Sequence, residues 1–280
     1  MDADDIKGVV RTRYGAFAKT GGQRDGCCAA LATSASAFAL AHGLYTDGQL
    51  ALVPDPALDL SRGCGNPTGF AGLTPGCTVV DFGCGGGIDV ILAAQQVGPE
   101  GRVVGVDFAA PMIERASESI AMAGLAEGTV ELRLADLADT GLGDACADFV
   151  ISNCVINLSP DKDAVYREAF RVLRPGGRLA ISDVVVSDDI DPVCRARLQS
   201  EWVGCLGGTV PLHDYLRTLR RSGFVDIDVV AEHQMAGREL EAVSRCPGPD
   251  FGQSVPTEDL ASFEEKVVSI NLMATRRSEL

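Results

Sequence analysis

The run Thr78-Val79-Val80-Asp81 passes straight into Phe82-Gly83-Cys84-Gly85-Gly86-Gly87 and then into Ile88–Val97, an apolar stretch of helical length. A backbone almost free of side chains that turns sharply between a strand and a helix N-terminus suits an α/β chain in which this turn approaches a nucleotide-like ligand. The pattern continues downstream. Short β-branched runs at Arg102–Asp107, Val130–Leu134, Phe149–Ser152 and Arg178–Val185 alternate with helical stretches at Pro111–Ala123 and Lys162–Leu173, the second stopping before Pro175-Gly176-Gly177. Strands alternating with helices predict βαβ units and a parallel sheet.

Around this core the sequence divides into an N-terminal cap (1–70), a Rossmann-like core (71–190) and a C-terminal extension (191–280). The cap is Gly/Ala/Ser-rich and opens with a helical stretch near Ile6–Lys19. In the extension, helices are expected at Pro192–Val203 and Asp214–Ser222, strands at Ile227–Ala231 and Val267–Ala274, and a long surface loop across 233–262, where Pro247, Pro249 and Pro256 interrupt any regular element. With 46% apolar residues over 280 positions, disorder is excluded as the default. No run of eighteen apolar residues occurs and Met1-Asp2-Ala3-Asp4-Asp5 is acidic where a secretory leader is basic, so a soluble, cytoplasmic protein is expected, with no membrane partner and a monomer as the default. A net charge of −15 opposes nucleic acid as a partner.

The glycine loop departs from the dinucleotide pattern. Counted from Gly83, the third glycine position of G-x-G-x-x-G holds Ile88, which disfavours a nicotinamide oxidoreductase. Asp81, at the end of the first strand, repels phosphate and welcomes a cationic amino-acid end, which favours S-adenosylmethionine over NAD. Asp107, at the end of the second strand, is placed to accept both ribose hydroxyls; Asp136, with Leu137 beside it, follows the third strand and is expected near the adenine amino group. Cofactor contacts are therefore expected from Asp81, Gly83, Gly85, Gly87, Asp107, Asp136, Leu137 and Asn153. The acidic-x-Gly-x-Gly-x-Gly run Asp81–Gly87 resembles the loop of class I methyltransferases, which implies an α/β, Rossmann-like fold with a central, mostly parallel sheet, an N-terminal cap and a C-terminal α+β extension.

Ten cysteines are many for a reducing compartment, where such clusters more often bind soft ions or do redox work than form structural disulfides. Cys154 directly follows a strand end on the ligand-binding edge of the sheet; Cys64 stands between Gly63 and Gly65, flexible enough to close over an ion; Cys205 precedes Gly207-Gly208, which let the backbone swing its thiol toward the cleft. Soft thiolates from three segments suit a thiophilic centre. Zinc fits less well, since close C-x₂₋₄-C spacing is missing and His42, His213 and His233 have no ligand-like spacing. Cys77, Cys84, Cys146, Cys194 and Cys246 are read as packed residues.

Three stretches, Ser61-Arg62-Gly63-Cys64-Gly65-Asn66-Pro67, Ile151–Lys162 around Asn153-Cys154, and Trp202-Val203-Gly204-Cys205-Leu206-Gly207-Gly208, are similar to the arsenite methyltransferase family. The resemblance implies that Cys64, Cys154 and Cys205 bind As(III), arsenite or methylarsenite, and that S-adenosylmethionine donates the methyl group. It also implies that Cys27 or Cys28 exchanges a disulfide with Cys64, and that glutathione or thioredoxin restores the thiols. Arg62 departs from the apolar or aromatic residue that many relatives carry there. Two rival readings differ in class: a methyltransferase of a small organic metabolite with packed cysteines, and a metalloid-binding protein without catalysis.

Overall fold

The computed structural model describes residues 2–21, 44–187, 192, 196, 205–235 and 266–278. The described residues form eight α-helices and seven strands. The first helix, α1 (Ala3–Lys19), starts at a capping box in which the Asp2 side chain accepts from the Asp5 amide and Asp5 accepts in return. The acidic start of the chain is thus a helix cap. Three short helices follow, α2 (Asp47–Leu50), α3 (Asp55–Asp59) and α4 (Pro67–Phe70), none of which the periodicity of the cap segment announces.

The sheet contains β1 (Thr78–Phe82), β2 (Arg102–Asp107), β3 (Val130–Leu134), β4 (Ala147–Asn153), β5 (Leu173–Val186), β6 (Phe224–Gln234) and β7 (Val267–Arg276), in the order β3-β2-β1-β4-β5-β7-β6. The first five are parallel; β7 runs antiparallel to both β5 and β6. The two strands of the C-terminal extension therefore complete the core sheet. Helices α5 (Ile88–Val97), α6 (Ala110–Met122), α7 (Lys162–Val172) and α8 (Leu212–Arg221) occupy the connections. The helix start expected at Pro111 and the stop before Pro175 agree with α6 and α7 to within two residues. The expected helix at Pro192–Val203 and most of the loop at 233–262 fall on residues outside those described, apart from Pro192, Ala196 and residues 233–235.

The chain runs outward from β1 to β3 and then returns to place β4 beside β1, which opens a crevice at the carboxyl ends of these two strands. Phe82 pairs with Ser152 in the parallel register, so the glycine loop after β1 and Asn153-Cys154 at the end of β4 emerge side by side. Helix α5 is apolar nearly all round because it is covered on two sides. Val90, Ala93, Ala94 and Val97 pack on the sheet, while Ile88, Ile91 and Leu92 pack against Tyr45, Leu50, Val53, Ala57 and Leu58 of the cap. Among the described residues no helix is long and apolar enough to cross a membrane.

Candidate functional site

The glycine loop is held by its own amides. Gly83 and Cys84 donate to the Val106 carbonyl (2.8 and 3.0 Å), Gly87 donates to Cys84, and Gly85 donates to the Asp107 carboxylate (3.0 Å). These spent donors leave little for a phosphate, in keeping with the departure from the dinucleotide pattern. Gly83, Gly85 and Gly87 all have positive φ (+80°, +50° and +94°), and a Cβ on Gly83 would meet the Val155 side chain.

The loop borders a cleft of about 650 Å³ lined also by Tyr14, Arg62, Asp89, Asp107, Asn153 and Cys154. It continues into a second space of about 430 Å³ that shares Gly83, Asp107, Phe108, Val155 and Leu158 and adds Lys7, Asp136 and Leu137. Asp107 is fixed at the junction by the Gly85 and Ala109 amides, one on each oxygen, with acceptor capacity remaining on both. Burial raises its pKa to about 6 against the pull of those backbone donors. Asp136 forms an ion pair with Lys7 of α1 at 2.6 Å; burial pushes its pKa up, but Lys7 and the Ala138 amide outweigh that and leave it lowered.

Asp81 stands elsewhere than its expected role requires. It is 2% exposed, paired through its backbone on both sides within the sheet, and is not among the cleft-lining residues. Burial, then Asp89 and Asp107, push its pKa well up. Besides Asp107, the larger part of the cleft is faced by Asp89, in the first turn of α5, which sequence reasoning missed because a single acid there reads as helix-dipole compensation. Burial raises Asp89 to about 6, opposed by hydrogen bonds from Asn153 and Tyr45. Gly87 caps α5 in a left-handed conformation and does not line the cleft.

Cys64, Cys154 and Cys205, from three distant segments, are brought together. Cys154 Sγ lies 3.1 Å from Cys205 Sγ, Cys205 Sγ donates to the Cys154 carbonyl at 3.2 Å, and the Cys64 sulfur lies within 4.8 Å of that of Cys154. All three are free thiols, 4–7% exposed, inside a sleeve of Val184, Val186, Leu206, Met235 and Val267. Cys154 alone of the three also lines the cleft. Its φ of +58°, uncommon outside glycine, turns the chain off the end of β4, and its amide is tied to the Ser182 carbonyl of β5.

Asn153, expected at the cofactor, touches the cleft but spends its hydrogen bonds on the cap. Its Oδ1 accepts from the Cys64 and Gly65 amides (3.1 and 3.3 Å), and its Nδ2 donates to the Gly65 carbonyl (2.8 Å), Tyr45 Oη (3.1 Å) and Asp89 (3.0 Å). Ser269 of β7 donates to the Cys64 carbonyl at 2.9 Å. The flanking glycines serve closeness, not the flexibility expected of them. A Cβ on Gly63 would collide with the Asn153 amide, one on Gly65 with Ser182 and Asn271, and one on Gly208 with the Asn157 carbonyl.

Behind the thiols lies Asp183, also unpredicted, with an oxygen within 4.8 Å of the Cys64 and Cys154 sulfurs. It accepts from Asn157 (2.8 Å), its neighbour Val184 N (2.9 Å) and Tyr215 Oη (3.1 Å). Hydrogen bonds to Cys205 and Cys64, then burial, push the Cys154 pKa well up. For Cys64 the bond with Cys154 pulls down, yet burial together with Asp183 and Cys205 leaves its pKa raised. At neutral pH these two are thiols, so anionic sulfur there requires coordination to an ion.

The remaining cysteines divide. Cys77 and Cys84 are packed as expected, whereas Cys146 is exposed in the turn before β4, where the preceding Ala145 has φ of +52°. Cys27, Cys28, Cys194 and Cys246 lie outside the described residues.

Residues 73–223 match a family model described as a methyltransferase domain. The chain is 39% identical to the arsenite methyltransferase of Halobacterium salinarum over 249 residues, covering 83% of this chain and 61% of that one. It is 30% identical to the arsenite methyltransferase of Mus musculus, covering 86% and 64%. Among solved structures it is similar to the arsenic(III) S-adenosylmethionine methyltransferase of Chlamydomonas reinhardtii, with TM-score 0.66, 30% identity and coverage of 82% and 72%. The chain thus spans less than two thirds of the length of these two arsenite methyltransferase relatives.

Proposed function

The chain belongs to the arsenite methyltransferase family of class I methyltransferases, and from that membership we infer that it methylates As(III) held by Cys64, Cys154 and Cys205, with S-adenosylmethionine as donor. One observation carries the reading. A buried cluster of three thiols from three segments meets the glycine-loop cleft through a shared residue, Cys154.

The cleft suits the cofactor by its donor set. Asp107 keeps acceptor capacity for ribose hydroxyls, Asp89 offers a carboxylate toward a cationic group, and the loop amides at Gly83, Cys84, Gly85 and Gly87 are used internally, which disfavours a phosphate ligand. S-adenosylmethionine supplies an electrophilic methyl group on a sulfonium centre. The chain's own work is to collect, desolvate and orient the acceptor. Because Cys64, Cys154 and Cys205 are all free thiols, exchange with arsenous acid balances without an external base: each thiol proton leaves with one arsenic hydroxyl as water, and three As–S bonds replace three As–O bonds. Trivalent arsenic then retains its lone pair as the nucleophile, and no general base is needed.

Methylation raises arsenic to the pentavalent state. The reading assigns the return of two electrons to Cys27 or Cys28 with Cys64: the free thiol attacks the arsenic-bound Cys64 sulfur, the S–S bond forms as the As–S bond breaks, its electron pair returns to arsenic and the attacking thiol's one proton is released; reduction of that disulfide falls to glutathione or thioredoxin. Cytoplasmic residence belongs to the same proposal, since the cluster works as reduced thiols.

The test is to incubate the purified protein with arsenite, S-adenosylmethionine and a thiol reductant and to detect methylated arsenic by mass spectrometry. Cys154→Ser and Cys205→Ser are each expected to abolish product while leaving S-adenosylhomocysteine binding nearly unchanged. Normal turnover by either variant overturns the arsenic assignment and leaves a methyltransferase of an organic metabolite.

A further inference from the structure

Trivalent arsenic held by three sulfurs keeps its lone pair and needs no fourth donor, yet a fourth donor stands beside the thiols. An oxygen of Asp183, the Cys64 sulfur and the Cys154 sulfur all lie within 4.8 Å of one another, and the Cys205 sulfur is 3.1 Å from that of Cys154. Asp183 is 0% exposed and accepts from Asn157, the Val184 amide and Tyr215. A carboxylate offers about four lone-pair positions, so these bonds leave room for one ligand. In a tetrahedral zinc site, with Zn–S about 2.3 Å and Zn–O about 2.0–2.2 Å, neighbouring donor atoms stand roughly 3.5–3.8 Å apart. Shifts of about 1 Å bring the donors here to that spacing. Burial raises the Asp183 pKa to about 6, and Lys162 is among the groups that oppose the rise. Two thiolates and a carboxylate enclosed together need positive charge, and a divalent cation with the nearby Lys162 ammonium supplies it.

We propose that Cys64, Cys154 and Asp183, with the Cys205 sulfur beside them, form a binding site for a divalent thiophilic cation of the zinc and cadmium class, so that such an ion and As(III) compete for the same sulfurs. The close cysteine spacing whose lack counts against zinc in the sequence is replaced by three segments that meet only in the fold: the connection between α3 and α4, the end of β4 and the interior of β5. On coordination Cys64 and Cys154 each release one proton to solvent and form one metal–sulfur bond, and no electrons are transferred. The carboxylate distinguishes the two occupants. Oxygen is an ordinary donor to a borderline-soft divalent ion, whereas three-sulfur arsenic makes no use of it. The divalent site shares its sulfurs with the arsenic reading and stands or falls apart from it.

Cadmium is a suitable probe because its bonds to thiolate absorb in the ultraviolet. The reduced, metal-free wild type, Cys154→Ser and Asp183→Asn are each titrated with Cd²⁺ and, separately, with arsenite. The Cd²⁺ equivalent that disappears in Cys154→Ser is the one assigned here, which sets aside binding by cysteines elsewhere. Asp183→Asn is expected to weaken that equivalent about tenfold or more, at least what the loss of an outer partner costs a metal site. Its arsenite affinity is expected to stay within about twofold of wild type, which also reports an intact cluster. Arsenite is expected to displace the bound Cd²⁺ from the wild type, and X-ray absorption of the Cd²⁺-loaded wild type to show oxygen beside sulfur among the bonded atoms. The X-ray measurement needs no variant and decides the matter if Asp183→Asn does not fold. Sulfur alone around the bound ion, no equivalent lost in Cys154→Ser, unchanged Cd²⁺ affinity in Asp183→Asn, or equal weakening of Cd²⁺ and arsenite in that variant overturns the site. Cd²⁺ bound as expected by a wild type that takes up no arsenite overturns the arsenic reading and leaves the divalent site standing.

Discussion

Asn153 joins three parts of the molecule through one amide: the Gly63–Gly65 turn, Tyr45 of the cap and Asp89 of α5 all meet at its side chain. Asp89 and Asp107, the two acids that line the larger part of the cleft, have pKa values raised by burial to about 6. A carboxyl raised in the folded state adds stability that is complete below its unfolded value, about 3.9 for aspartate, and is lost as pH rises through the folded value. The proposed function needs the opposite charge state, with Asp107 accepting hydrogen bonds from ribose hydroxyls and Asp89 facing a cationic group. Affinity for S-adenosylmethionine is therefore expected to fall as pH drops through 6, by about tenfold per pH unit for each carboxyl that must lose its proton. Calorimetry between pH 7.5 and 5 measures this; a flat dissociation constant would show that neither acid is engaged.

At the scale of elements, the connection that carries Cys64 is inserted between the end of β4 and the strands β5 and β7. Gly65 rests against Ser182 of β5 and Asn271 of β7, which are themselves hydrogen-bonded at 2.7 Å. One methyl group has no place there. Gly65→Ala is expected to destabilise the fold by about 2–3 kcal/mol, the cost of overpacking a closed contact, and to displace Cys64 from the other two thiols. Thermal unfolding together with an arsenite titration followed by the ultraviolet absorption of the As–S bonds formed would register both effects. A variant with wild-type midpoint and wild-type arsenite affinity would mean that the loop is not held where its contacts suggest.

Across the whole molecule, the two ligand regions are separated by burial. The cofactor cleft is bordered by α1 and the glycine loop, whereas the thiols sit in an apolar sleeve formed by β5, β7 and the segments around 205 and 235. Such a sleeve shields the three sulfurs from water. If cysteine electrons restore trivalent arsenic, omission of a thiol reductant should stop the reaction after about one turnover per enzyme, as two thiols supply one electron pair. Rapid-quench counting of methylated arsenic per protein checks this, and sustained multiple turnover without reductant would refute the disulfide step.

Much of the fold is legible in one dimension because its causes are local. The run Ile88–Val97 is helical and apolar enough to be bounded correctly, and β2, β3 and the start of β7 are legible from β-branched runs between turn residues. The short cap helices α2, α3 and α4 escape, since four or five residues are too few for a period to register and tertiary packing against α5 stabilises them. Of the candidate site, the three thiols and Asp107 are legible from motif and strand-end position. Asp89, Tyr45 and Asp183 are not, and the glycines beside Cys64 suggest flexibility where they permit contact. Those roles depend on which side chains meet across segments up to two hundred residues apart, such as Cys64 and Ser269, and no local preference encodes that meeting. Parallel pairing of β1 with β4 creates it, by setting the glycine loop and Cys154 on one edge with the cap folded over both.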